Sequence, residues 1–346
     1  GTTTEGWNEA DDLTIATTGH TGITVRSGNT SEGNLAFSDA TSGTGEYAGL
    51  IRYKHNSDSM QFRTAGTVRL TINQDGNAKF VGIVTATSFV PTEIQTGFKN
   101  IVINGACNVA QRGTTSTSTT YGSVDRMYYT HNGVDEACTQ AQHALTSSDT
   151  GPWAAGFRNS YHITNGNQTS GAGSEDVIVT RYLIEAQDIA NSGWDYTSSS
   201  SYITLSFWVK ASVAQTYYVR LESQDGTAQN YAFAIALSAN TWTKITKTIP
   251  GNSNLQFNND ANMGLKIEWN LFRGGDSTTS GFTLDTWAAY SSSSRVPDIS
   301  NTWYNTNDAT FEYTGLQLEV GSEATPFEHV SYGQDFKNCQ RYYQTV

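Results

Sequence analysis

The sequence has little charge, and most of that charge is negative. Charged residues are 15% of the 346 positions, Asp and Glu number 32 against 20 Lys and Arg, and the formal net charge is −12. A chain of this sign repels phosphate backbones and anionic headgroups, so we expect no nucleic-acid partner and no binding to membrane surfaces. Long hydrophobic runs are also missing. None approaches the roughly 18 to 20 residues that cross a bilayer, so we expect no membrane insertion.

Cysteine, methionine and proline are scarce, with 3, 3 and 5 residues. The odd number and wide spacing of Cys107, Cys138 and Cys339 exclude a disulfide framework and a paired-thiol zinc site, so we predict that they are small buried side chains. The chain is instead rich in aromatic residues, with 18 Tyr, 14 Phe and 8 Trp. Flat aromatic side chains favour pleated sheets over helices, and we predict an all-β protein.

Residues 1–90 differ from the rest of the chain because they form short apolar runs separated by Gly, Asn, Asp and Ser. The runs are Leu13–Ala16, Ile23–Arg26, Leu35–Ser38, Leu50–Tyr53, Met60–Arg63, Val68–Ile72 and Ala78–Val84. Asp75-Gly76, between the last two runs, predicts a hairpin. Each run offers only two or three large apolar side chains, so one copy buries little surface. We therefore predict an intertwined β stalk, like a triple β-helix or a β-prism, formed by a homotrimer.

A larger β domain follows. Residues 91–100, with Pro91 and Gly97, predict a connector, and residues 101–330 carry longer alternating strands. These strands are Ile203–Lys210, Tyr217–Glu222, Tyr231–Leu237, Leu265–Leu271 and Leu316–Val320. Such strands with little helical periodicity predict an antiparallel jelly-roll β-sandwich. Residues 186–190 predict a helical turn, and the apolar spacing in residues 331–346 predicts a short C-terminal helix.

Several strings occur in a fixed order over residues 100–346. They are Ile101–Gly113 (IVINGACNVAQRG), Val124-Asp125-Arg126, Thr204–Lys210 (TLSFWVK), Thr248–Gly251 (TIPG), Tyr313–His329 (YTGLQLEVGSEATPFEH) and Cys339–Tyr343 (CQRYY). Together they resemble the C-terminal domain of bacteriophage tail-fibre and tail-collar proteins. Gly22–Gly49 and Arg69–Phe89 resemble stalk segments of marine cyanobacterial phage structural proteins. The resemblance implies a homotrimeric protein of the virion tail, attached to other tail proteins, whose distal domain touches the host surface. It implies no cofactor and supplies no binding residues.

One set of residues is a candidate carbohydrate-binding site. The set is Trp208, Lys210, Tyr218, Arg220 and Glu222. If the strands 203–210 and 217–222 form a hairpin, these side chains share the face that the core does not use. Aromatic rings stack on the C–H faces of sugars, and charged groups bind sugar hydroxyls. The alternative is that Gly- and Ser-rich loops cover Trp208, which then forms a second small core.

A second candidate set consists of aromatic residues in loops. Its members are Trp153, Trp194, Trp287, Trp303 and Tyr304. Receptor contacts are often presented on loops held by a rigid scaffold. A loop tryptophan equally anchors its loop to the core or packs between chains, and the sequence leaves these alternatives open.

Metal and catalytic signals are weak. Asn258–Gly264 alternates oxygen donors but lacks the bidentate carboxylate of an EF-hand, so we predict a turn. Jelly rolls often hold a structural calcium, for which Glu312 or Glu319 are candidates, but the sequence defines no metal site and requires no cofactor. The six histidines have no ligand spacing, and motifs such as G-x-S-x-G and HExxH are absent.

We therefore predict a non-enzymatic protein that binds host cell-surface polysaccharide, with three copies adding avidity. One alternative is a structural collar, adaptor or decoration protein that touches no receptor. Another is an enzyme that trims glycans, which would need two carboxylates about 5 to 9.5 Å apart.

Overall fold

The computed structural model describes residues 19–82 and 99–344. The chain divides into two compact units, Gly1–Ile94 and Gln95–Val346. The run Leu13–Ala16 and the predicted connector up to residue 98 lie outside the described residues. The predicted all-β class is confirmed, since strands dominate both units and the described residues hold only two short α-helices.

The first unit contains one antiparallel sheet in which each strand pairs with the next. Its strands are β1 (Glu32–Phe37), β2 (Gly49–Lys54), β3 (Ser59–Thr64), β4 (Thr67–Ile72) and β5 (Ala78–Phe80). The predicted hairpin at Asp75-Gly76 is confirmed by the pairing of β4 with β5. The run Ile23–Arg26 forms no strand. Of the run predicted at Ala78–Val84, Ala78–Phe80 is a strand, and residues 83 and 84 lie outside the described residues.

One face of this sheet is apolar from edge to edge, and we call it the apolar face of unit 1. The strand register aligns five of its side chains in one row across the five strands, namely Leu35, Ile51, Phe62, Leu70 and Phe80. Leu35 and Phe80 are 56% and 52% exposed. Eight of the nine large hydrophobic side chains that are exposed in the described residues belong to this unit. A single sheet cannot cover this face by itself.

The opposite face of the same sheet is mostly polar, with Ala36 and Leu50 as its apolar members. Arg52 pairs with Glu32 at 3.0 Å and lies beside Gln61 on the next strand. Such partly exposed ion pairs contribute little stability, but they keep this face compatible with water. The polar face can therefore remain in contact with water, whereas the apolar face needs another protein surface to cover it.

The second unit is a sandwich of two six-stranded antiparallel sheets. Sheet 1 has the order β16-β13-β12-β15-β10-β7 and sheet 2 the order β14-β11-β17-β9-β8-β6. The strands are β6 (Thr115–Ser116), β7 (Met127–Asn132), β8 (Thr139–Ala144), β9 (Asn159–Thr164), β10 (Val177–Glu185), β11 (Tyr202–Ala211), β12 (Gln215–Ser223), β13 (Gln229–Leu237), β14 (Thr243–Pro250), β15 (Met263–Arg273), β16 (Ala288–Ala289) and β17 (Thr310–Val320). This arrangement confirms the predicted jelly-roll class.

The core lies between the two sheets and follows the predicted alternation. Phe207 of β11 meets Trp269 of β15 edge-on, and Trp269 stacks on Tyr313 of β17 with ring centroids 4.4 Å apart. All three side chains are at most 1% exposed. The three cysteines are free and buried, as predicted. Apolar burial across this interface is the main stabilising contribution, at about 1.5–3 kcal/mol for each large side chain.

The predicted hairpin between residues 203–210 and 217–222 is wrong. β11 pairs with β14 and β17 in sheet 2, whereas β12 pairs with β13 and β15 in sheet 1. Both edges of β11 are therefore occupied, and the short connection after it carries the chain across the sandwich. The outward side chains of β11 and β12 lie on opposite outer faces of the second unit.

Two helices complete the unit, α1 (Ala186–Ala190) and α2 (Tyr332–Gln340). The C-terminal helix is confirmed but ends before the predicted limit at residue 346. Ser331 caps it by accepting a hydrogen bond from the backbone N–H of Gln334, and Cys339 faces the core. Neither described helix is long and apolar enough to cross a membrane.

Candidate functional site

Three partly exposed tryptophans lie on the outer side of sheet 2. They are Trp153, Trp208 and Trp242, and all three pack against one small cluster formed by Ala106, Leu145 and Phe157. We call this surface the tryptophan face. The other four tryptophans of the described residues, Trp194, Trp269, Trp287 and Trp303, are at most 7% exposed. The partly exposed indoles of the described chain are therefore gathered in one place.

This distribution separates the loop aromatics that the sequence grouped together. Trp194, Trp287, Trp303 and Tyr304 belong to the central core, so they anchor their loops. Trp153 differs, because its indole is partly exposed and lies under the Arg158 guanidinium at 3.8 Å from the ring centroid. Within this set, only Trp153 keeps a surface that a ligand can reach.

Trp208 projects from the outer side of β11 beneath the loop that joins β8 to β9. Gly151 of that loop lies so close that a Cβ on it would be 2.6 Å from the indole Cζ3 atom. Trp208 packs against the small cluster of Ala106, Leu145 and Phe157, which is the kind of contact that the alternative of a second small core describes. Part of the indole remains exposed, so Trp208 packs against the protein on one side and can contact a ligand on the other.

A groove of about 450 Å³ runs beside Trp208. Its lining is Phe157, Trp208, Lys244, Phe327 and His329 together with smaller residues of β17 and the segment after it. Its volume falls in the usual range of small-molecule sites, and its combination of rings with a few polar groups is typical of them.

A β-bulge in β17 shapes one wall of this groove. Gly315 and Leu316 together oppose Phe207, so the register shifts between Ser206 and Trp208. Gly315 adopts a φ of +65°, and a Cβ there would lie 2.5 Å from the Cζ atom of Phe157. Only glycine tolerates both the backbone conformation and the close approach. The bulge keeps Thr314 facing outward next to Trp208 while Leu316 enters the core.

Lys210 lies two residues after Trp208 on the same outer face and bridges two carboxylates. Its Nζ atom is 3.0 Å from Asp149 Oδ1 and 2.9 Å from Glu312 Oε1. Burial lowers the pKa of Lys210, but both carboxylates outweigh burial and raise it. Asp149 also accepts a 3.0 Å hydrogen bond from the indole Nε1 of Trp242. Burial would raise the pKa of Asp149, but hydrogen-bond donors that include the Trp242 indole and the Lys210 ammonium lower it to about 2.

Two histidines lie on the other side of Glu312. The Nδ1 atoms of His143 and His162 are 3.2 and 3.4 Å from Glu312 Oε2, and Ser160 donates to the same oxygen at 2.7 Å. Burial would raise the pKa of Glu312, but the two imidazoles and the Ser160 hydroxyl beside it hold that pKa well below its usual range. The hydrogen bond with Glu312 raises the pKa of His143. This cluster was not predicted from the scattered histidines; only the outward position of Glu312 between Phe311 and Tyr313 signals it.

The remaining predicted site residues lie on the outer side of sheet 1. Arg220 is fully buried and pairs with Glu222 and, at 2.8 Å, with Glu268. Arg273 and Arg181 pair with the same Glu268 at 2.8 and 2.6 Å. The result is a buried network of charges rather than an open surface.

A long loop between β15 and β17 covers this network. Asn230 of β13 donates to the Arg295 carbonyl, and the Arg220 guanidinium lies 5.8 Å from the Tyr290 ring centroid. Tyr218 keeps partial exposure, whereas Arg220 and Glu222 are at most 6% exposed. Trp208 and Lys210 are thus separated from Tyr218, Arg220 and Glu222 by the full thickness of the sandwich.

A cavity of about 580 Å³ lies where the described second unit begins, between α1 and α2. Asp188 and Asp335 line it, and burial raises the pKa of both. Phe327 is its single aromatic lining residue. This cavity offers carboxyl groups instead of a stacking surface, so it does not complement the face of a sugar ring.

Comparisons with known proteins find structures that are similar to this chain but do not assign it to a family. No family model and no curated protein matches the chain. It is similar to a putative sugar-binding protein from Bacteroides thetaiotaomicron, with 11% identity over 64% of this chain and 100% of that one and a TM-score of 0.32. It is also similar to a family 11 carbohydrate-binding module of a cellulosomal cellulase of Clostridium thermocellum (9% identity, 61% of this chain, 96% of that one, TM-score 0.29).

A third similarity is to the tripod from the baseplate of bacteriophage Tuc2009. The identity is 13% over 66% of this chain and 57% of that one, with a TM-score of 0.30. All three TM-scores lie well below 0.5, so the function proposed next depends on the residues and geometry of this chain.

Proposed function

We propose that this chain is a phage tail-fibre protein that binds host cell-surface glycan on the tryptophan face, without cleaving it. The observation that carries the proposal is the gathering of Trp153, Trp208 and Trp242 on one face while the other described tryptophans are buried. Partly exposed indoles cost hydrophobic free energy unless a ligand covers them. Sugar rings present C–H faces that stack on aromatic rings, with hydroxyls at their edges.

The polar groups beside the indoles supply the second half of a sugar site. Lys210 lies 4.9 Å from the Trp242 ring centroid, and Asp149 is held by the indole N–H of Trp242. Charged donors and acceptors in fixed positions make strong hydrogen bonds to hydroxyls. We keep Trp208 and Lys210 from the predicted set and do not extend the site to Tyr218, Arg220 and Glu222, because those three residues lie on the outer side of the other sheet.

Binding rather than hydrolysis is favoured by the pairing of the carboxylates. Asp149 and Glu312 both pair with the Lys210 ammonium. A glycosidase needs one carboxyl group free to donate a proton and a second free to act as base or nucleophile. Release of new reducing ends from a bound polysaccharide would overturn the non-enzymatic part of the proposal.

The proposed oligomer is a homotrimer assembled through the apolar face of unit 1. Three such sheets around a threefold axis form a closed prism that buries the row Leu35, Ile51, Phe62, Leu70 and Phe80. Three glycan sites on one fibre then raise the overall affinity without new contacts. The expected solution mass is three times 37.6 kDa, about 113 kDa. A monomer would contradict assembly through this face, and a dimer would contradict the threefold arrangement.

A glycan array probed with the 346-residue chain tests the binding proposal. We expect Trp242→Ala and Trp208→Ala to weaken binding to the best glycan by about tenfold each, which corresponds to about 1.4 kcal/mol. Tyr218→Ala is the matched control, since Tyr218 is a partly exposed strand aromatic on the opposite sheet. The proposal is wrong if Tyr218→Ala abolishes binding while the tryptophan variants do not. Binding to no glycan would favour a structural collar or adaptor.

A further inference from the structure

Three metal-ligating side chains from neighbouring strands converge on the outer side of sheet 2. His143 comes from β8, His162 from β9 and Glu312 from β17. The register pairs Glu312 directly with His162, and His143 is the diagonal neighbour of His162 on the next strand. Side chains at such positions reach one another across a sheet. Their donor atoms all lie within 4.8 Å of one another.

The separations between the donor atoms are those expected of ligands that share one ion, although the His143–Glu312 contact is also within hydrogen-bond range. Two ligand atoms at about 2.0–2.2 Å from a tetrahedral ion are about 3.3–3.6 Å apart. The Nδ1 atoms of His143 and His162 are 3.2 and 3.4 Å from Glu312 Oε2, whereas N–H···O bonds cluster near about 2.9–3.0 Å. His162 Nδ1 is buried and has no hydrogen-bond partner. Its lone pair is therefore available to an ion placed between the two imidazoles and the carboxylate.

The carboxylate is already fixed in position, as ligands usually are by their neighbours. Ser160 donates to Glu312 Oε2 at 2.7 Å, and Lys210 binds Oε1 at 2.9 Å. The Lys210 charge is balanced by Asp149 on its other side at 3.0 Å. Asp149, Glu312 and Lys210 together carry one net negative charge, so a cation is still attracted.

We propose that His143, His162 and Glu312 bind a divalent transition-metal ion of the Zn²⁺ class. Two imidazole nitrogens and one carboxylate suit zinc and its neighbours, whereas calcium and magnesium select all-oxygen sites. Three protein ligands leave one position open, and the His143 side chain is 47% exposed. Water or another small ligand therefore reaches the ion from solvent. This site does not depend on glycan binding by the tryptophan face.

Calorimetric titration of the untagged, chelator-treated full chain with Zn²⁺ tests the site. We expect one saturable ion per chain and a loss of affinity of about tenfold or more in His143→Ala and in His162→Gln. His20→Ala is the control, because that exposed histidine lies in the other unit. His143 is itself exposed, so His143→Ala is expected to fold, and its far-ultraviolet circular dichroism checks this.

A second readout identifies the ligands directly. Co²⁺ in place of Zn²⁺ should give the visible absorption of a four-coordinate ion with nitrogen and oxygen ligands, and His143→Ala should remove it. The proposal is overturned if no saturable Zn²⁺ binding is found, if both histidine variants bind as tightly as the unmodified chain, or if His20→Ala weakens binding equally. Preferential binding of Ca²⁺ would also overturn it.

Discussion

Replacing Gly315 by alanine should destabilise the second unit and disturb the groove beside Trp208. Gly315 holds a φ of +65° in the bulge of β17, which costs a residue with a Cβ about 1–2 kcal/mol. The new Cβ would also lie 2.5 Å from the Phe157 ring, and such overpacking costs about 1–3 kcal/mol. The two contributions together give about 2–5 kcal/mol. For a unit of this size, that lowers Tm by about 5–15 °C.

Differential scanning calorimetry of the full chain measures this effect. Gly275→Ala is the matched control, because a Cβ at Gly275 meets nothing within 4 Å and its φ is not positive. We expect the control to change Tm by less than about 2 °C. An unchanged Tm in Gly315→Ala would refute both the assignment of the bulge and the close contact with Phe157.

Further predictions concern charge and assembly. Asp149→Asn should reduce the loss of stability between about pH 5 and pH 2. The folded-state pKa of Asp149, about 2, lies below the ordinary 3.8, so the stability that the ionised Asp149 contributes is lost as the pH falls. Equal slopes of Tm against pH in the variant and the unmodified chain would contradict this. Glu268→Gln should cost about 3–5 kcal/mol in urea unfolding because it leaves the buried Arg273 without a carboxylate partner and leaves Arg220 with only Glu222. Asp285→Asn, at the exposed pair with Lys247, should cost less than about 1 kcal/mol. Leu35→Lys should convert the proposed trimer of about 113 kDa to a monomer of 37.6 kDa in light scattering, since Leu35 is an exposed member of the row that forms the apolar face of unit 1.

The alternation of apolar residues was sufficient to predict most strands of the sandwich. Tyr231–Leu237 places its large side chains inward and three alanines outward, and the sheet has the same arrangement. Side-chain alternation is a local property of a strand, so a sequence displays it directly. The C-terminal helix was located by its apolar spacing, and the burial of the cysteines was predicted from their odd number and wide spacing.

Strand pairing could not be predicted in the same way. Three residues, 212–214, connect β11 to β12. Three extended residues span about 10 Å, which is also about the distance between the two layers of a sandwich. The connection therefore serves equally for a hairpin and for a crossing to the other sheet. The choice depends on which strands occupy the edges of β11, and those strands, β14 and β17, are distant in sequence.

That pairing separates three of the five predicted site residues, Tyr218, Arg220 and Glu222, from Trp208 and Lys210. Trp208 and Lys210 have an aromatic and a charged residue beside them, as predicted. These neighbours are Trp242 and Asp149 rather than Tyr218 and Arg220. Residues that are far apart in the chain and meet only in the folded protein form no short motif in the sequence. The histidine–carboxylate cluster is a further case, because its three members come from positions 143, 162 and 312.

Oxidative footprinting of the tryptophans, read by mass spectrometry with and without the best-binding glycan of the array, tests glycan binding most directly. Without glycan, Trp153, Trp208 and Trp242 should oxidise faster than Trp194, Trp269, Trp287 and Trp303, which are buried. With saturating glycan, the three partly exposed indoles should be protected. Unchanged oxidation of all three in the presence of bound glycan would place the site elsewhere and contradict the proposed function.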